Sequence, residues 1–384
     1  MMCIRSADPQ TGGTIEGVVQ TSRVLVNRGH HVELASLDSP AAPWLKEFPG
    51  PAHGLGPVRT SYGYRPGIEK CLEDKCRGMD AVIGNGLWQY NSFAMRHACR
   101  RAGIPYFVYP HGMLDPWFKR TYPLKHIKKW LYWPWGEYPV LRDAQAVLFT
   151  CQEEQRLARQ SFWLYRANEV VLGQGTNPPA GDPRQQRDAF AEKYPQLSSK
   201  RMVLFLGRIH PKKGCDLLLE AFARVAHRDP SLHLVFVGPD QSGWRASLEK
   251  TGALLGVADR VSWLGMIDVQ LKWGALRNAE VFVLPSHQDN FGIAVVEALA
   301  CGLPVLISNQ VNIWREIQMD QAGMVGPDDV AGTTKLLEDW LDLNGEQRRG
   351  FTQNALACFQ RQFELGAVTD RLLALLEKEI GRRP

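Results

Sequence analysis

The chain has 384 residues, 45% hydrophobic and 22% charged, a balance that suits two ordinary globular domains and excludes a disordered or fibrous chain. A net charge of +5 is too mild to name an anionic partner by itself. No apolar run approaches the roughly 20 residues that a bilayer span needs, and no amino-terminal leader is visible, so nothing argues for secretion.

The first strand candidate, Met1-Met2-Cys3-Ile4, is short for a buried central strand, as if trimmed or as if the natural start lay a few residues upstream. Thr11-Gly12-Gly13-Thr14 follows. Glycines between a strand and a helix let backbone N–H groups approach a phosphate, although the same turn also serves as plain architecture. Residues 14–28 put Ile15, Val18, Val19, Leu25 and Val26 on one helical face, which Gly29 closes. Strands are expected at His31-Val32-Glu33-Leu34-Ala35, Ala81-Val82-Ile83, Tyr106-Phe107-Val108-Tyr109 and Ala146-Val147-Leu148-Phe149. Strands separated by helices argue for a parallel sheet covered on both faces.

Two features in this half carry chemistry. Tyr109-Pro110-His111-Gly112-Met113-Leu114 sets a histidine directly after a strand, where it is either a cleft residue or a structural one. Residues 117–142 then hold Lys119, Arg120, Lys125, Lys128, Lys129 and Arg142 against one acid, Glu137, with four of the chain's 12 tryptophans. Aromatics interleaved with cations suit an anionic membrane surface or an acceptor bearing a lipid diphosphate. The competing reading is a helix whose aromatics fill the core while its lysines face water. No nucleic-acid-binding module is recognisable.

Around 178–183 the composition turns to proline, glycine and charge, which marks a boundary. A second series of strands begins at Met202-Val203-Leu204-Phe205-Leu206 and continues at residues 232–237, 281–284 and 304–307. Residues 363–380 read as a terminal amphipathic helix. The expected organisation is an amino-terminal domain over 1–175, a second over 176–360 and a terminal helix over 361–384.

Gly207-Arg208-Ile209-His210-Pro211-Lys212-Lys213-Gly214 links the first of these later strands to a helix. Arg208 and Lys213 can both lie at the carboxyl end of the sheet, and an arginine fork with a lysine point charge makes a diphosphate clamp. Cations are unfavourable at a helix amino terminus, so their placement calls for a ligand; His210 and Lys212 are read as surface residues. Residues 289–306, D-N-F-G-I-A-V-V-E-A-L-A-C-G-L-P-V-L, put Asp289 in a loop and Glu297 about two turns into the following helix. Two carboxylates so spaced can grip the hydroxyls of one polyol ligand at both ends, which points to a nucleotide-sugar site. No G-x-G-x-x-G follows a strand and no G-x-x-x-x-G-K-[ST] exists, so the dinucleotide fingerprint and the P-loop are missing. Eight cysteines are scattered without a C-x-x-C pair, which suggests a reducing, cytoplasmic setting.

Gly12-Gly13, Arg28-Gly29-His30, 110–114, 207–214 and 289–306 occur in an order that resembles the retaining glycosyltransferases of family 4, the glycosyl transferases group 1, over essentially the whole chain. The resemblance implies the GT-B α/β architecture: two Rossmann-like doubly wound domains facing across a cleft, with the terminal helix packing back on the first. It implies that Arg208 and Lys213 hold the donor diphosphate and Glu297 the ribose. The backbone of Asp289, Asn290, Phe291 and Gly292 would meet the donor sugar, His111 would sit beside the reacting carbon, and Gly13 would approach the phosphates. Leu264, Gly265 and Met266 would line the base pocket. Asp289 stands where a glutamate is usual, one methylene shorter, which shifts contact with the transferred sugar. The implied activity is transfer of a sugar with retention from a nucleotide-diphosphate donor to a glycan or lipid-linked acceptor in surface polysaccharide synthesis. No metal or other cofactor is expected, because the two cations can do the phosphate work. Apart from the resemblance, the scattered thiols place the chain in the cytoplasm, and the aromatics and cations of 117–142 suggest peripheral contact at the inner face of the membrane. The alternatives are a sugar-nucleotide epimerase or phosphorylase of the same fold, or a non-catalytic nucleotide-sugar-binding protein.

Overall fold

Thirteen short strands, the inner ones rich in Val, Ile, Leu and Phe, pair into two all-parallel sheets in a computed structural model that describes residues 1–58, 60–241 and 243–381. Arg59, Ser242, 382–384 and the side chain of Arg120 lie outside the described residues. One compact unit comprises Met1–Gly175 with the helix Leu365–Ile380, and the other Thr176–Glu364.

In the first unit the strands are β1 (Met2–Ile4), β2 (Leu34–Ser36), β3 (Ala52–Gly54), β4 (Val82–Asn85), β5 (Tyr106–Tyr109), β6 (Ala146–Phe149) and β7 (Glu169–Val171). Their spatial order is β3-β2-β1-β4-β5-β6-β7. The chain runs outward one way from β1 and then returns to start β4 on its other side, so the order reverses between β1 and β4. In open α/β sheets ligands bind outside the carboxyl ends of the strands at such a reversal. Short as it is, β1 is fully buried and pairs with both β2 and β4.

The second unit repeats the plan with β8 (Arg201–Leu206), β9 (Leu232–Val237), β10 (Val261–Gly265), β11 (Val281–Leu284), β12 (Val305–Ser308) and β13 (Gly323–Gly326), in the order β10-β9-β8-β11-β12-β13. Here the reversal lies between β8 and β11. The inner strands are apolar on both faces because helices cover both: Leu204, Phe205, Leu234, Phe282 and Leu306 are all completely buried. Each such side chain contributes about 1.5–3 kcal/mol.

The structure departs from the sequence reading at the margins. β2 begins at Leu34 instead of His31, because its neighbours β1 and β3 begin at Met2 and Ala52, which pair with Leu34. Four strands were not anticipated, β3, β7, β10 and β13, and these are the four sheet edges. An edge strand is buried less completely, so its sequence (Ala-His-Gly or Gly-Met-Val-Gly) lacks the apolar run that marks an inner strand.

The terminal helix starts at Leu365, after a π-helical turn over Phe359–Phe363. It packs on the first unit, where Leu372 joins Met2, Ile15 and Leu25 in one apolar cluster. Asp370 pairs with Arg28, and Gln145 donates to Glu379 at 2.6 Å. All eight cysteines are free thiols. Among the described residues no helix is long and apolar enough to cross a membrane.

Candidate functional site

In the second unit the candidate residues follow the two strands that flank the order reversal. β8 ends at Leu206 and the chain turns through Gly207, whose carbonyl oxygen lies 2.0 Å from where a Cβ on Gly238 would stand. Only glycine lets the loops after β8 and β9 approach this closely. Pro211–Lys213 forms one 3-10 turn capped by His210, whose Nδ1 accepts from the Lys212 amide at 3.1 Å. His210, read as a surface residue, is thus the cap that sets this turn. Gly214 ends the turn at φ +68°, with Pro285 O 2.2 Å from its virtual Cβ, and the helix Cys215–Val225 begins.

That turn is fastened to the loop after β11. The Lys212 carbonyl accepts from Ser286 Oγ and from the His287 amide, both at 2.9 Å. Lys213 Nζ pairs directly with Asp289 Oδ2, each side chain about one-fifth exposed. Asp289 is held by its backbone as well: its amide donates to Gln310 O and its carbonyl accepts from the Asn312 amide, both at 2.9 Å. Asn290 Oδ1 accepts from Asn312 Nδ2 at 3.3 Å. Phe291 is buried edge-on against Phe363, so only its backbone is available to a ligand. Gly292, at φ +69°, caps the helix Ile293–Ala300.

Glu297 is the fifth residue of that helix, just over one turn in where two turns were expected, because the loop runs to Gly292 before the helix starts. Its Oε1 accepts from Lys272 Nζ at 2.6 Å. Lys272 lies on the helix Val269–Asn278, capped by Asp268, with its ammonium 4.3 Å from the Trp273 ring. Sequence reasoning missed Lys272. Its only local signal is a lysine four residues past a capping aspartate, which reads as a solvated helix surface.

Arg208 is exposed, and its Nη1 lies 3.5 Å from Gln241 Oε1. Beside it a pocket is lined by Ile209, Gly238, Trp263, Gly265 and Met266 among others, with Trp263 stacked flat on Phe236 at 4.2 Å. Leu264, expected there, does not line it. Successive strand residues face opposite ways, so Trp263 and Gly265 share the pocket side and Leu264 does not.

In the first unit His111 follows β5 in the left-handed region, at φ +50°. A non-glycine residue there costs on the order of 1–3 kcal/mol and persists only where its surroundings over-determine it. Those surroundings are specific. Gly112 N donates to the buried Glu154 carboxylate at 2.5 Å, and Thr150 donates to the other oxygen through both N (2.8 Å) and Oγ1 (2.6 Å). The His111 ring stacks on Tyr109 at 5.3 Å, and its Nε2 lies 3.0 Å from Asn85 Oδ1. Asn85 Nδ2 faces the carbonyls of Cys3 and Ile83, which can only accept. The Asn85 oxygen must therefore face His111, so Nε2 carries the proton and Nδ1 is left as an acceptor. Burial lowers the His111 pKa to about 4, which keeps the ring neutral near pH 7.

Gly13 opens the helix Gly13–Asn27 and is exposed, with no atom within 4 Å of a virtual Cβ, so sterics alone do not require glycine. The loop after β4 is tied to the His111 loop: Trp88 Nε1 donates to Met113 O at 3.1 Å and Trp88 N to the buried Glu137 at 2.6 Å. Burial raises the Glu137 pKa to about 7.

The family model described as glycosyl transferases group 1 matches residues 186–357, and that described as glycosyl transferase 4-like domain matches 12–175. A D-inositol 3-phosphate glycosyltransferase of Geodermatophilus obscurus is 34% identical over 179 residues, 44% of this chain and 39% of that protein. Its namesake in Mycobacteroides abscessus is 28% identical over 256 residues, 64% of this chain and 54% of that protein. The matched stretch thus spans about half the length of these curated relatives or less. The crystal structure of Anabaena HepE in complex with UDP and glucose superposes with a TM-score of 0.73 at 18% identity, covering 98% of each chain, a likeness of fold.

Proposed function

The chain belongs to the glycosyl transferases group 1 family and has the GT-B fold, and from that premise we propose that it transfers a sugar from a nucleotide-diphosphate donor to an acceptor hydroxyl. The observation that carries this reading is the fastening of the Arg208–Lys213 turn to the Asp289 loop at the carboxyl ends of β8 and β11. It puts Lys213, a cation for a diphosphate, beside Asp289, a carboxylate for sugar hydroxyls, at the place where such sheets bind ligands.

In this reading Arg208 and Lys213 take the diphosphate, Glu297 the ribose, the backbone of 289–292 the transferred sugar, and the Trp263 pocket the base. The ligand-bearing state of HepE, with UDP and glucose on the same fold, supports a nucleotide sugar as donor. His111 accepts a hydrogen bond from a hydroxyl through Nδ1. Transfer proceeds with retention: the acceptor oxygen bonds the anomeric carbon on the face from which the diphosphate departs. The carbon–oxygen bond to that diphosphate breaks, and the acceptor proton passes to the departing phosphate oxygen. Asp289 and Glu297 are each ion-paired to a lysine, which suits binders better than a covalent nucleophile. The two cations supply the charge that a metal would otherwise bring to the leaving group. The acceptor is a glycan or a lipid-linked saccharide, and eight free thiols suit the cytoplasm.

Thermal-shift screening against a panel of nucleotide sugars should single out one donor, and Arg208→Ala and Glu297→Ala should each abolish its shift. A donor labelled in the sugar then separates the readings: label on a second molecule is transfer, label kept on the nucleotide is epimerisation. Binding without turnover marks a non-catalytic protein.

A further inference from the structure

The helix Pro123–Tyr132 is turned inside out. Its apolar stripe, Leu124, Ile127 and Leu131 at spacings of three and four, is 82%, 56% and 63% exposed, and no residue of the helix is buried. The side against the fold carries polar residues instead. His126 stacks on Phe162 at 4.9 Å, and Lys129 places its ammonium 4.3 Å from the Trp88 ring and 5.5 Å from Phe118. A surface helix normally buries its apolar face. This one spends its inward face on a cation–π anchor and presents its apolar face to water.

The patch continues beyond the helix. Trp135 is 80% exposed, and Trp130 and Trp163, with rings 6.3 Å apart, are also exposed. Lys119, Lys125 and Lys128 surround the stripe and are exposed. The single acid of 117–142, Glu137, is buried beneath Trp88 and does not offset them.

We propose that this surface docks on an anionic lipid bilayer, with the helix lying in the interface plane, Leu124, Ile127 and Leu131 among the acyl chains, the tryptophans at headgroup level and the lysines on lipid phosphates. Charge decides the occupant. A second copy of the chain meeting this face would set its lysines against identical lysines with no exposed acid between them, whereas anionic headgroups neutralise them. The proposal stands apart from the proposed reaction: Arg208, Lys213, Asp289 and Glu297 lie in the other unit, and docking requires no turnover.

The test is co-sedimentation of the full chain with phosphatidylcholine vesicles, with and without phosphatidylglycerol, alongside tryptophan fluorescence. The chain should pellet with the anionic vesicles, lose binding in high salt, and show a blue-shifted tryptophan emission. Lys125→Glu with Lys128→Glu should weaken partitioning by about fivefold or more per lysine, and Leu124→Ser, Ile127→Ser and Leu131→Ser together by about tenfold or more. These side chains are exposed, so the melting temperature of both variants should match the parent. Equal pelleting with neutral and anionic vesicles, or unchanged binding by the serine variant, overturns the proposal. So does a concentration-dependent dimer, seen by analytical ultracentrifugation, that the serine variant dissolves.

Discussion

Lys213 and Asp289 are bonded to one another, side chain to side chain, joining the turn after β8 to the loop after β11. Each residue is therefore the other's partner. In the proposed function a diphosphate at Lys213 would compete with Asp289, and a sugar hydroxyl at Asp289 would compete with Lys213. Lys213→Ala should weaken binding of the nucleoside diphosphate by about tenfold or more, the loss of one charge-assisted contact. Asp289→Asn should leave that binding within about threefold, since it frees the lysine, and should lower kcat/KM for transfer. Titration calorimetry with the nucleoside diphosphate, beside transfer kinetics, checks both. Equal losses in the two measurements would show that Asp289 serves only to hold the lysine.

In the proposed function Lys272 acts through Glu297, its ion-pair partner, as a positioning residue. Removing it leaves a mostly buried carboxylate without its cation, so Lys272→Ala should raise the KM for the donor about tenfold while kcat changes little. Lys272→Arg should restore most of the loss. A fall in kcat with unchanged KM is the result that removes this role.

Two groups shifted by burial, the partly buried His111 and the fully buried Glu137, give stability opposite slopes with pH. His111 drops from 6.5 in the unfolded chain to about 4 in the fold. Between those values the unfolded state binds more protons, so this contribution to stability is lost as pH falls and is complete above 6.5. Glu137 rises from 4.5 to about 7, so the folded state holds the extra proton and stability is lost as pH rises through that window. Glu137→Gln should therefore gain on the parent from pH 5 to pH 8, by about 3 kcal/mol at most. Urea denaturation across that range measures it, and a constant offset at every pH counts against a protonated Glu137.

Gly238 stands at φ +139° against the Gly207 carbonyl. Gly238→Ala forces a methyl group into that oxygen and must move the strand end that carries Arg208. We expect a loss of about 2 kcal/mol or more in stability together with weaker donor binding. Gly13→Ala, with open space around it, should leave stability within about 0.5 kcal/mol of the parent.

The inner strands were legible in the sequence because burial on both faces demands an unbroken apolar run: Tyr106–Tyr109, Ala146–Phe149, Leu232–Val237 and Val281–Leu284 were located to the residue. The edges β3, β7, β10 and β13 were not, because burial on one side leaves room for His, Glu and Gly. Arg208, Lys213, Asp289 and Glu297 were singled out by local logic, a charge where a strand ends or a carboxylate beside a helix start. What sequence alone determined about this protein is thus its two parallel sheets and the loops that carry its charges. Tertiary structure alone decided the partners, Lys213 with Asp289 and Lys272 with Glu297, since each pair joins segments that are far apart in the chain. It also decided which way the helix Pro123–Tyr132 faces. Periodicity records that a helix has an apolar stripe; only packing against Trp88 and Phe162 turns that stripe toward water.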